Sequence, residues 1–396
     1  MIEAKTRAWW RATAALCLGS FLVFINLYVP QPLLPALKTT FEVSTLGVSL
    51  LMSAATLSLA FALLVFGPLS DAIGRETIMR VTLVAAGALS LLLAVAPNFE
   101  TLLLLRLVQG FVLGGLPAVA IAWMGDEFDR PALLSAVGLY IGANSLGGIS
   151  GRVVGGFAAT LGGESAAFLT VGTMTLLGCL LFWRLLPNSH AFAPKPFKLR
   201  QALRDLAGHL RTPVLLAAYA LGGLNFLVFI NQYSYITFRL AAPPYQLAAG
   251  ALGLIFLTYL GGTFGSTVSG RLAQRFSPAR CMGAGILILM LGTAVTLSSP
   301  LWLVILGLLI NAFGFFLCHS LASGWVGRYA QGARGSASAL YLVFYYLGAS
   351  VGGFWLEPFW RWSQWPGVAV GSWLLLGVTF FIALGLCRFE RRERQR

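Results

Sequence analysis

What most limits this chain is a stretch of about twenty apolar residues that recurs along its whole length with hardly a charge inside it. A helix of that length rises ~30 Å, the thickness of a bilayer's hydrocarbon layer. Composition agrees: 58% of the 396 residues are hydrophobic and 10% are charged, against about 25% charged in an ordinary soluble domain. So few charges cannot clothe a water-exposed surface. The sequence reads as an all-α integral membrane protein.

Twelve transmembrane helices are expected. They fall roughly at 9–33, 46–66, 78–96, 101–124, 133–160 and 165–186, then at 213–238, 247–269, 281–298, 301–325, 335–357 and 366–387. The net charge of +14 would suit a nucleic-acid binder, but the charges are placed otherwise. With both termini inside, 22 of the 27 Lys and Arg lie in cytoplasmic segments or at their edges. Only Lys38, Arg239 and Arg361 fall outside, and Arg106 and Arg152 lie within spans. This is the positive-inside bias. It implies contact with anionic lipid and a cell (inner) membrane location, and it leaves no need for a nucleic-acid partner. Lys5, Arg7 and Arg11 ahead of an apolar run resemble a signal sequence, but no small-residue cleavage site precedes Tyr28, so an uncleaved first span is expected. The five cysteines form no disulfide or metal pattern.

The chain repeats itself. Residues 21–26 read FLVFIN, as do residues 226–231, and tyrosine follows one residue later in both, Tyr28 and Tyr233. Gly110-Phe111-Val112-Leu113 faces Gly314-Phe315-Phe316-Leu317; Leu139-Tyr140 faces Leu340-Tyr341; Leu146-Gly147 faces Leu347-Gly348; and Gly151 faces Gly352. The offsets stay between 201 and 205. Six crossings return a chain to its starting side, so the halves are two six-helix bundles, 1–186 and 213–396, related by a parallel pseudo-twofold repeat. That architecture carries transport sites at the interface of the halves. The polar stretch 187–212 is the cytoplasmic linker, part of it suited to an amphipathic surface helix.

After the second span comes Gly67-Pro68-Leu69-Ser70-Asp71-Ala72-Ile73-Gly74-Arg75, followed by Arg80, and the fourth span holds Arg106-x-x-Gln109-Gly110. In these motifs the chain resembles the major facilitator superfamily, whose signature at the first place is Gly-x-Leu-x-Asp-x-x-Gly-Arg. Tyr28-x-Pro30-Gln31-Pro32 and the tenth span resemble bacterial sugar- or drug-efflux permeases. The resemblance implies the major facilitator fold and a latch on the cytoplasmic side. Asp71 would cap or pair toward the eleventh helix near Arg334-Gly335-Ser336, and Arg75 would reach Asp126 or Glu127. Simple solvated loop charges are the plainer reading. In the second half Gln274 replaces Asp71 and Ser277 replaces Gly74, so an asymmetric latch is expected.

Charges inside spans are costly and mark function. Tyr140, Asn144, Gly148 and Arg152 share one helix face at i, i+4 spacing. This stripe and Arg106 either line the solute pathway, or Arg106 instead bonds backbone carbonyls of the first helix at a bend near Pro30. Asn26, Tyr28, Gln31, Gln109, Asn225, Asn231 and Tyr233 add polar groups, and Tyr341 and Tyr345 are the aromatic counterparts of the stripe. Proton coupling has two candidates. His319 suits a relay by its ordinary pKa, though a satisfied core histidine explains it as well, and Glu357 lies at the outer end of the eleventh span. Ala143-Asn144 stands where the family's antiport pattern has Gly-Pro, which weakens antiport. No HExxH, GxSxG or Walker motif is present, so neither an enzyme nor a cofactor is expected. The sequence supports a monomeric secondary transporter using alternating access, with protons coupled to efflux of a small amphipathic compound. An importer or exchanger of an organic anion is the alternative.

Overall fold

The computed structural model describes residues 1–189, 199–331 and 334–395, and the helix it assigns to the linker, Leu199–Leu210, is the first element after the undescribed gap. Among the described residues the chain is helical nearly throughout, with one isolated bridge between Ile2 and Phe128. The helices are α1 (Arg7–Tyr28), α2 (Leu34–Thr40), α3 (Thr45–Ile73), α4 (Arg75–Leu93), α5 (Phe99–Leu113), α6 (Gly115–Glu127) and α7 (Arg130–Leu185). They continue as α8 (Leu199–Leu210), α9 (Pro213–Ala241), α10 (Ala249–Ile255), α11 (Tyr259–Phe276), α12 (Pro278–Val295), α13 (Leu301–Tyr329) and α14 (Arg334–Gln395).

Among the described residues, ten helical segments are long and apolar enough to cross a membrane. Two of them are far longer than one crossing. α7 has 56 residues and α14 has 62, so a straight α7 would run ~84 Å against a ~30 Å layer. Each is broken by two non-helical residues, Gly162-Gly163 in α7 and Ser363-Gln364 in α14. Gly163 sits at φ 78, a backbone state that glycine enters without steric cost. Beyond the break α7 folds back on itself. Gly151 packs on Ile25, while Gly178, 27 residues later, packs on Leu22, less than one turn away on the same helix. The breaks fall where the boundaries between the fifth and sixth and between the eleventh and twelfth spans are expected.

The chain divides into two compact units, Met1–Leu199 with Leu247–Leu254, and Arg200–Gln246 with Ile255–Arg396. Large apolar side chains cover their outsides, among them Leu104 at 60%, Phe264 at 63% and Phe381 at 73% exposure. In water such a surface would aggregate; in hydrocarbon it is the expected one.

One seam organises each unit. In the first, Gly147 and Gly151 of α7 lie directly against the carbonyl oxygens of Phe21 and Ile25 of α1. In the second, Gly348 and Gly352 of α14 lie against those of Gly223 and Leu227 of α9. Any Cβ there would strike backbone, so glycine lets the helices approach to near contact, as small residues do in membrane bundles. The seam pairs α1 with α9 at an offset of 202 (Ile25 with Leu227) and α7 with α14 at 201 (Gly151 with Gly352). The FLVFIN copies, offset by 205, are therefore three residues out of structural register. Asn231 occupies its own place in the second unit and is no structural copy of Asn26.

Candidate functional site

α1 and the first arm of α7 position a polar group in the first unit. Arg152 is 1% exposed. Its Nε donates to Gln31 Oε1 at 2.8 Å and its Nη1 to the Gly148 carbonyl at 2.8 Å. Its guanidinium lies 4.0 Å from the centre of the Tyr28 ring, a cation–π contact that strengthens when water is excluded. A Cβ at Gly148 would stand 3.3 Å from Arg152 Nη1 and 3.4 Å from the Tyr28 ring, so the helix face packs closely against both. Gln31 reaches the site because Pro30 and Pro32 end α1 in a short 3₁₀ turn, Gln31–Leu33. Toward the other end of the stripe, Ser20 donates to Asn144 Oδ1. Tyr140 is 2% exposed, and Ser20, which donates to Asn144 Oδ1, is the hydroxyl beside its own. The structure thus gathers Tyr28, Gln31, Tyr140, Asn144 and Arg152 along one helix pair.

Arg106 belongs to a different cluster. It is 0% exposed and donates to the carbonyls of Asn26 (3.1 Å), Leu27 (2.8 Å) and Leu51 (3.3 Å) and to Gln109 Oε1 (2.5 Å). Gln109 donates to Ser90 Oγ at 2.7 Å, Ser90 donates to Asn26 Oδ1, and Asn26 donates to Thr175 Oγ1 at 2.7 Å. The network ties α1, α3, α4, α5 and the second arm of α7 together. Asn26 and Leu27 stand at the last turn of α1, just before the prolines remove N–H donors. The guanidinium therefore satisfies carbonyls that the helix end leaves open.

The second unit presents rings. Phe226 stacks on Tyr345 with centroids 3.5 Å apart, Phe229 stacks on Phe315 at 4.0 Å, and His319 lies 4.8 Å from Tyr345. His319 Nδ1 is 2.9 Å from the Tyr341 hydroxyl. Tyr233 bonds Thr258 Oγ1 and the Leu308 carbonyl, Asn231 bonds the Leu227 and Ala349 carbonyls, and Asn225 donates to Cys318 Sγ. Glu357 is 5% exposed, accepts from Tyr235 at 2.9 Å and pairs with Arg361 at 2.9 Å.

At the turn between α3 and α4, Arg75 bridges Asp71 at 3.1 Å and Asp126 at 2.8 Å. Arg80 pairs with Glu76 at 3.4 Å, and Ser189 bonds both Glu76 and Glu127. Gly74 turns at φ 95, which requires glycine or strain. Gly67 has open space where a Cβ would stand. Arg334 has no described side chain. Sequence reasoning passed over Ser20, Ser90 and Thr175, since an isolated hydroxyl in a Leu-rich helix carries no periodic signal, and over Ser189, which lies in the polar stretch after α7.

A family model described as the Major Facilitator Superfamily matches residues 16–353. The chain belongs to the major facilitator superfamily. The uncharacterized MFS-type transporter YybF of Bacillus subtilis (strain 168) is 36% identical over 395 residues, covering 100% of this chain and 98% of YybF. The inner membrane transport protein YnfM of Escherichia coli (strain K12) is 34% identical over 387 residues, covering 98% and 93%. Among solved structures, the human organic anion transporter MFSD10 superposes with a TM-score of 0.73 at 18% identity, over 95% of this chain and 99% of that one. A bacterial homologue of the lysosomal transporter Spinster, inward-facing and occupied, gives 0.72 at 16%, over 95% and 96%. These structures share the superfamily's fold. The chain is a multi-pass membrane transporter and not an enzyme.

Proposed function

We propose that this chain is a secondary active transporter with twelve crossings and both termini cytoplasmic. It works by alternating access and exports a small amphipathic organic compound at the expense of the proton gradient. The observation that carries the substrate reading is the Tyr28–Gln31–Tyr140–Asn144–Arg152 face of the first unit. A buried guanidinium is costly in a membrane. In this reading a solute or its water adds a hydrogen bond to the Tyr140 hydroxyl, which has only Ser20 beside it. Guanidinium, amide and hydroxyl on one face suit a carboxylate or a cluster of hydroxyls. The same face supports the second reading, an importer or exchanger of an organic anion.

In this account Arg106, Gln109 and Asn26 hold the bend of α1, and Asp71, Arg75, Asp126, Glu127 and Arg80 form the inner latch. Half-exposed ion pairs are worth roughly 0.2–1 kcal/mol each, weak enough to be broken and remade in every cycle. Glu357, held by Tyr235 and Arg361, and His319, held by Tyr341, are the groups proposed to carry protons. Reconstituted proteoliposomes with an imposed pH gradient test the reading, after a thermal-shift screen of carboxylates, sugars and drugs has supplied a substrate. Uptake into acid-loaded vesicles, reduced in Glu357→Gln or His319→Gln, is expected. Transport that ignores the gradient in the wild type would remove proton coupling, and stabilisation by neutral drugs alone would remove the substrate class.

A further inference from the structure

The second unit contains a cavity of about 230 Å³ lined by Ser277, Arg280, Cys387, Glu390, Arg391 and Gln395. It lies where α12 begins and α14 ends, the end that the distribution of Lys and Arg assigns to the cytoplasm. The matching corner of the first unit is closed by the chain itself. There α7 stops at Leu185, and Ser189 comes over to bond Glu76 and Glu127 while Asn188 meets Arg80. In the second unit α14 continues as helix to Gln395.

The turn into the helix keeps its shape. Ser277 adopts φ 83, ψ 146, close to the 95 and 137 of Gly74. A side chain at that angle is strained, and Ser277 makes no side-chain cap for α12. Arg280 and Arg391 are exposed, make no hydrogen bond or ion pair with a described residue, and line the cavity together with Cys387. Glu390 is 4% exposed and engaged already. Two cations against one anion leave the lining with one net positive charge.

We propose that this cavity binds a tetrahedral oxyanion, the phosphate of an anionic phospholipid headgroup or free inorganic phosphate. Arginine forks match phosphate oxygens in paired hydrogen bonds. Pro278 has no N–H and that of Cys281 bonds the Ser277 carbonyl, so the first turn of α12 adds at most the N–H groups of Ala279 and Arg280 and the positive end of the helix dipole. The space holds one such group and a few waters. This site is separate from the solute face of the first unit and does not depend on what that face binds.

Cys387 reports on it directly. The full-length protein is treated with N-ethylmaleimide, and alkylation of Cys387 is followed by peptide mass spectrometry with Cys17 as internal reference. Three conditions are compared: phosphatidylcholine nanodiscs, nanodiscs with phosphatidylglycerol, and detergent with inorganic phosphate. Several-fold slower labelling of Cys387, but not of Cys17, is expected with phosphatidylglycerol, and protection should vanish in Arg280→Gln/Arg391→Gln. If the double variant does not fold, Arg280→Gln alone should weaken protection. Protection by phosphatidylglycerol only identifies the lipid as the source, and equal protection by phosphate identifies the free anion. Equal labelling in all three conditions, or protection undiminished in the variants, overturns the proposal.

Discussion

The helix pair α1–α7 in the first unit and the pair α9–α14 in the second are built the same way and carry different chemistry. In both, two glycines four residues apart meet carbonyls four residues apart, and the helices close to backbone contact. Off that seam the likeness ends. The first pair carries Arg152, Asn144 and Tyr140, with Gln31 just past the end of α1; the second stacks Phe226 of α9 on Tyr345 of α14, and Phe315 of α13 stacks on Phe229. The difference teaches that the repeat preserves packing where backbones touch and leaves the neighbouring positions free to specialise. A guanidinium recognises charge, while stacked rings recognise area and shape.

The largest effect should come from breaking the shared part. Gly348→Val or Gly151→Val would drive side-chain atoms into the carbonyls of Gly223 or Ile25, a strain of at least ~1–3 kcal/mol that the rigid seam cannot relax. Loss of monodisperse protein on size-exclusion chromatography is expected for both. Normal yield of either would show that the seam is looser than drawn. Next in size is Tyr345→Ala, which removes a ring stacked on Phe226 and should weaken acidic and neutral amphipaths by the same factor, about tenfold. A loss confined to acids would erase the division of labour between the pairs. Asp71→Asn follows. It removes one ion pair from Arg75, and a several-fold slower transport rate at unchanged ligand affinity is expected in proteoliposomes; an unchanged rate would dismiss the latch. Smallest is Tyr140→Phe. Losing one hydrogen bond to a bound solute costs ~0.5–1.5 kcal/mol, so affinity should fall about two- to tenfold while thermal stability without ligand holds or rises. A drop in unliganded stability would mean that the hydroxyl has a structural partner.

The all-helical membrane architecture was legible because run length and charge depletion are direct consequences of the hydrocarbon layer. The repeat was legible too, but its register was not. The FLVFIN copies are identical in letters, yet the seam is set by where glycines meet carbonyls, three residues away from that match. At the site, the α7 stripe was readable from i, i+4 spacing alone. Its junction with Tyr28 and Gln31 was not, because it depends on how α1 ends at Pro30 and Pro32. Arg106 shows the limit most clearly. Sequence gives a buried cation and two roles for it, and only the three carbonyls of Asn26, Leu27 and Leu51 show how its donors are spent.

The central claim is that Arg152 reads negative charge on the solute. Isothermal titration of one matched pair tests it, an amphipathic carboxylate found by screening and its methyl ester, on wild type and Arg152→Ala. The wild type should prefer the acid by about tenfold or more, the worth of a charge-assisted hydrogen bond at ~1.5–3 kcal/mol, and the variant should bind acid and ester alike. An undiminished preference for the acid in Arg152→Ala would contradict the account.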